Sequence, residues 1–97
     1  MASGTITKTK GVNELPTLSS SDDLNNLVNI NDTGFYYITS KPTNSPVSWC
    51  ILQNFALGGA NIVSQTIYSE TAIYIRRRSG TTPTWSNWHI INGTVLS

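Results

Sequence analysis

Ninety-seven residues with a net charge of +1 suffice for one compact domain and exclude two. Charged residues make up only 11% of the chain and apolar ones 38%, against roughly 25% charged in an average domain, with Ser, Thr and Asn filling the difference. That balance excludes a nucleic-acid field spread over the whole molecule and suits a β-rich surface module, in which Thr pairs across strands and Asn, Ser and Gly make the turns.

The N-terminal segment, residues 1–18, is polar, with Thr at positions 5, 7 and 9 and then Gly11, Pro16 and a Ser run. It reads as an extended lead-in or edge strand, and residues 19–97 read as a single β domain. Met1-Ala2-Ser3-Gly4 lacks the apolar core of a signal peptide. No stretch approaches the roughly 20 apolar residues of a membrane span, so membrane insertion is not expected.

Ser19 to Asp23 offers several N-caps, and Leu24, Leu27 and Val28 follow at i, i+3, i+4. The pattern predicts a helix of two or three turns that packs on a sheet, with Asp22 and Asp23 at the positive end of its dipole. After the turn signal Asn31-Asp32-Thr33-Gly34 the pattern changes to strands. Phe35–Thr39 is aromatic and β-branched, and Pro42 and Pro46 break it. Trp49–Phe55 is nearly continuous in apolar residues and is predicted to be central. Ile62–Tyr68, Thr71–Arg78 and Trp85–Ile91 complete five strands with turns at intervals of roughly 8–12 residues, the signature of an antiparallel meander. The fold class is therefore mainly β, a small antiparallel sheet with one short N-terminal helix on it.

Asp23-Leu24-Asn25, Gly34-Phe35-Tyr36-Tyr37, Trp49 and the closing Trp85-Ser86-Asn87-Trp88, taken in that order, resemble the knob-like domain of pyocin and phage tail fibres. Asp23-Leu24-Asn25, Gly34-Phe35-Tyr36-Tyr37 and Trp49 after a Pro-containing loop are similar to its start. Val63-Ser64-Gln65-Thr66, Ala72-Ile73-Tyr74-Ile75-Arg76 and, after Gly80, Trp85-Ser86-Asn87-Trp88 are similar to its second half. The similarity spans about residues 22–91, and the order and spacing of the pieces carry it. It implies a non-enzymatic module on a virion tail fibre or similar appendage, in a homotrimer, contacting a bacterial surface glycan. Two departures bear on this. Such fibres often end in several domains, and here there is one. The segment through Leu18 has no counterpart, which leaves the receptor tip and a structural bead further up the shaft both open.

The candidate ligand-binding residues are Tyr74, Arg76, Arg78, Trp85 and Trp88. In an extended strand Trp85 and Trp88 have opposite parity, so one indole faces inward and the other outward; the pair serves structural packing, or the outward indole is a platform for a sugar ring. Trp49, at the start of a central strand, is expected in the core. If Ile73 and Ile75 face the core, Tyr74, Arg76 and Arg78 form an outward aromatic and cationic stripe. The run Arg76-Arg77-Arg78 then suits phosphate or carboxylate groups on polysaccharide, or simply a solvated strand edge. With net charge near zero and no second basic cluster, nucleic acid is not the expected partner.

Catalysis has little support in the sequence. His89 is the one histidine and has no acid beside it, and the five acids form no evident pair for sugar hydrolysis. Neither zinc-ligand spacing nor a Gly-rich phosphate loop occurs, so no metal and no cofactor are expected. Cys50, the single cysteine, sits in the apolar run Trp49-Cys50-Ile51-Leu52 and reads as a buried, inert thiol. Two other functions fit the same residues. One is a trimerisation or capping module of a fibre without receptor contact. The other is a carbohydrate-binding module of a larger secreted protein.

Overall fold

The computed structural model describes residues 9–10, 15–57, 61–93 and 96. Its strands are β1 (Thr9–Lys10), β2 (Pro16–Leu18), β3 (Gly34–Ile38), β4 (Cys50–Leu57), β5 (Ile62–Tyr68), β6 (Ala72–Ser79), β7 (Thr84–Trp85) and β8 (His89–Asn92). They form one sheet in the order β1 to β7, with β8 sharing the outer edge of β6 with β7. Strands β3, β4, β5 and β6 make the predicted antiparallel meander. The sheet as a whole is mixed, because β2 runs parallel to β3.

That parallel contact draws the end of the expected lead-in into the domain. Leu18 pairs opposite Ile38 and is fully buried. The buried cluster around it comprises Leu24, Leu27, Tyr36, Ile38, Cys50, Leu52 and Ile67, with Val47, Tyr74 and Trp88 packed against it. Each fully buried Leu or Ile contributes about 1.5–3 kcal/mol relative to exposure.

The predicted N-terminal helix is absent. In its place stand two short 3₁₀ turns, Leu24–Asn26 and Ile30–Asp32. Leu24 and Leu27 do share a buried face, as their spacing requires. Propagation fails for a local reason. Asp23 accepts from the Asn25 N–H at 2.9 Å, Asp32 accepts from the Asn29 N–H at 3.1 Å, and Leu27 leaves helical geometry at φ −90°, ψ 63°. In a segment this rich in Asn and Asp, side chains compete for the backbone groups that a helix would use. The resulting turns and the loop through Pro42 and Ser45 lie over one face of the sheet.

Alternation along β4 and β5 is strict. Cys50, Leu52, Asn54 and Ala56 of β4 and Val63, Gln65 and Ile67 of β5 are buried on the covered face. Their neighbours Ile51, Phe55, Leu57, Ile62 and Tyr68 lie on the open face and are exposed.

Trp49 departs from the expectation of a core residue. It immediately precedes β4 with φ 56° and is 68% exposed. Trp49 has the parity of Ile51, opposite to Cys50 and Leu52, and its left-handed backbone marks it as outside the strand, so nothing directs the indole into the core.

Candidate functional site

The face assignment of β6 is the reverse of the predicted one. Ile73 and Ile75 are exposed on the open face, whereas Tyr74, Arg76 and Arg78 lie on the covered side with Ala72. The register explains the reversal. Asn54 pairs opposite Gln65, and Gln65 opposite Arg76, so three polar side chains stand in one row across the covered face. Arg76 is only 6% exposed.

A buried arginine requires partners, and this row supplies them. Arg76 Nε donates to Gln65 Oε1 and Nη2 donates to Asn25 Oδ1, both at 2.8 Å. Gln65 Nε2 donates to the Leu24 carbonyl and to Asn54 Oδ1, each at 2.9 Å. Asn54 Nδ2 donates in turn to the carbonyls of Leu27 and Asp32 at 3.0 and 3.1 Å, and the Tyr36 hydroxyl donates to the same Asp32 carbonyl at 2.6 Å. The chain of bonds clamps the 3₁₀ turns, whose carbonyls no helix satisfies, onto the sheet. Burial lowers the Arg76 pKa to about 10, partly offset by the charge of Asp23, so the guanidinium stays charged at neutral pH.

The two candidate tryptophans meet over this guanidinium. Arg76 Cζ lies 3.8 Å from the ring centroid of Trp85 and 4.8 Å from that of Trp88, within the range of cation–π attraction. The predicted opposite facing of the indoles does not occur, because Trp85–Ile91 is not one continuous strand. Trp85 pairs opposite Arg78 and His89 opposite Ile75. Three residues (86, 87 and 88) therefore face two (76 and 77), which is a one-residue bulge. An extra residue shifts the side-chain alternation by one and brings both indoles to the same face. Ser86 anchors the bulge: its N–H donates to the Arg77 carbonyl at 2.7 Å and its Oγ accepts from the Arg77 N–H at 2.9 Å. Trp88 Nε1 donates to the Asn44 carbonyl at 2.8 Å. Asn44 itself holds φ 68° and donates through Nδ2 to Asp23 Oδ1 at 2.8 Å.

The result is a surface depression of about 340 Å³, lined by Arg76, Trp85, Trp88, Asn25, Asn44, Ser45, Ser86 and Asn87. Three of the five sequence-predicted candidates are thus brought together. The other two are not in the lining. Tyr74 packs against the core cluster, and half-buried Arg78 lies opposite Trp85 on the sheet. The amide and hydroxyl rim escaped the sequence reading, because it comes from three separate loops. The buried row was partly visible: Gln65 shares the parity of Val63 and Ile67, which marks it as an inward polar residue requiring partners.

Chemically, the depression offers aromatic surface, one cation and a ring of neutral hydrogen-bonding groups, with no carboxylate in its lining. Among the described residues no group of three His, Cys, Asp or Glu side chains could hold a metal ion, and no helix is long and apolar enough to cross a membrane. Comparison of the chain with protein-family models, with curated proteins and with solved structures finds no match.

Proposed function

We propose that this chain is a tail-fibre-type knob module that contacts a bacterial surface polysaccharide through the Arg76–Trp85–Trp88 depression, as one copy of a homotrimer on a virion fibre. The single observation that carries the reading is the composition of that depression. Indole surface suits the apolar face of a sugar ring, neutral amides and hydroxyls suit its hydroxyl groups, and the positive charge of the buried Arg76 beneath them favours a carboxylate or phosphate substituent over a cationic one. Two of the three groups are held rigidly, Arg76 by the buried row and Trp88 by Asn44. A pre-organised site loses less freedom on binding. The affinity of one such shallow site is low, and display in several copies raises it by avidity, about 10²–10⁴-fold where the geometry permits.

The reading is tested by binding of the labelled chain to bacterial cells and to a panel of their purified surface polysaccharides. Trp85→Ala, which removes the indole nearest Arg76, is expected to lower binding at least tenfold while the sheet persists. Equal binding by Trp85→Ala and the unaltered chain would remove the depression from the contact.

A further inference from the structure

We propose that the open face of the sheet is the surface through which copies of this chain bind one another, leaving the Arg76 depression outward on the opposite face. The proposal deepens the multi-copy part of the fibre-knob reading, but it stands on a separate observation. Registers across β3, β4, β5, β6 and β8 align Tyr37, Ile51, Tyr68, Ile73 and Ile91 in one uncharged row perpendicular to the strands. With strands about 4.8 Å apart the row is roughly 19 Å wide. A second row holds Phe35, Gln53, Thr66, Ile75 and His89, and Phe55, Leu57 and Ile62 extend the apolar surface toward one end.

An antiparallel sheet with one face in water ordinarily carries polar residues there. Here the large apolar side chains of these rows and of their extension through Phe55, Leu57 and Ile62, other than Tyr37, are 36% to 52% exposed. Taking about 200 Å² for each such side chain when fully exposed, they present on the order of 700 Å². That exceeds the largest apolar patch of a typical monomer and is close to the roughly 800 Å² per partner of a standard stable interface. The described part of this face has two ionisable bases, Arg77 and His89, and no acid, so it offers no ion-pair pattern for a charged partner. A closed trimer turns the same face of every copy toward its axis, where the rows of β-branched and aromatic side chains pack against those of both neighbours. Because alternation assigns Arg76, Trp85 and Trp88 to the other face, assembly through this one leaves every glycan site accessible.

The test is molar mass by light scattering with size exclusion on the 97-residue chain, beside strand content by circular dichroism and binding of the polysaccharide panel. The unaltered chain is expected at a multiple of the 10.6 kDa chain mass, unchanged in about 1 M salt since apolar contact is not screened. Ile51→Asp combined with Ile73→Asp is expected at the mass of one chain, with strand content retained. Thr66→Arg, which places a charge mid-face on a half-buried position without removing an apolar side chain, is expected to do the same should the double variant not fold. A single-chain mass for the unaltered protein at about 0.5 mM, or an unchanged multiple in Thr66→Arg, would overturn the proposal. An assembly that these variants dissociate but that binds no polysaccharide would sustain the interface and overturn the glycan reading instead.

Discussion

Truncating Arg76 separates a clamped, buried guanidinium from the solvated stripe that the sequence suggested. Arg76→Ala deletes two charge-assisted hydrogen bonds, leaves Gln65 Oε1 without its donor at a fully buried position, and removes the cation between two indoles. An unpaired buried acceptor costs about 1–3 kcal/mol, and breaking a buried charged network costs up to about 3–5 kcal/mol. The desolvation that lowers the Arg76 pKa is relieved at the same time and offsets part of this, so a net loss of about 2–4 kcal/mol is expected. In a domain of this size that lowers Tm by roughly 10–25 °C. Arg78→Ala breaks no hydrogen bond to a described side chain, and its expected effect is within about 0.5 kcal/mol. The assay is urea denaturation followed by tryptophan fluorescence, with all variants at one chain concentration because association shifts apparent stability. A double-mutant cycle of Arg76→Met and Gln65→Leu should show a coupling of about 1–3 kcal/mol. Equal stability of Arg76→Ala and Arg78→Ala, or zero coupling with Gln65, would refute the buried-row reasoning.

Three further outcomes follow from the geometry. Trp49→Ala should change stability by no more than about 0.5 kcal/mol, and Trp49→Gly should be neutral or slightly stabilising since φ 56° suits glycine; a loss of about 3–5 kcal/mol would return Trp49 to the core. Burial and the charge of Asp32 raise the Tyr36 phenol above its ordinary pKa, so its contribution is present below about pH 10 and is lost as pH rises beyond. Tyr36→Phe should cost about 1 kcal/mol at neutral pH and flatten stability above pH 10, and an unchanged alkaline slope would contradict the assignment. Burial pushes the Cys50 thiol up to about 11, so its stabilising contribution declines between about pH 9 and 11. Alkylation of the folded chain at pH 9 should run at least about fifty-fold slower than in urea, and equal rates would mean an accessible thiolate.

Much of the sheet was legible because β4 and β5 obey the period-two rule and their ends carry turn residues. The faces of β6 were not, since the sheet is apolar on both sides: Ile73 and Ile75 look like core residues by composition, and only the register with Asn54 and Gln65 shows that the arginine is inside. The same two-sided apolarity was present in the nearly continuous run of β4, where Ile51 and Phe55 alternate with Cys50, Leu52 and Ala56. Leu24 and Leu27 correctly announced a buried face, but their spacing does not distinguish an α-helix from a 3₁₀ turn, and the Asn-rich surroundings selected the latter. Trp85 and Trp88 line one depression, but their expected opposite facing does not occur, because a one-residue bulge is a property of pairing with β6 and leaves no mark in the segment alone. Asn25 and Asn44, far from the Trp85–Trp88 segment in sequence, join the lining of the depression only through tertiary placement.

The most direct test of the glycan-contact claim follows the three indole N–H signals of the isotope-labelled chain by nuclear magnetic resonance as surface polysaccharide is added. Saturable shifts of the Trp85 and Trp88 signals with Trp49 unmoved are the predicted result. Shifts confined to Trp49, or none across the polysaccharide panel, would contradict it.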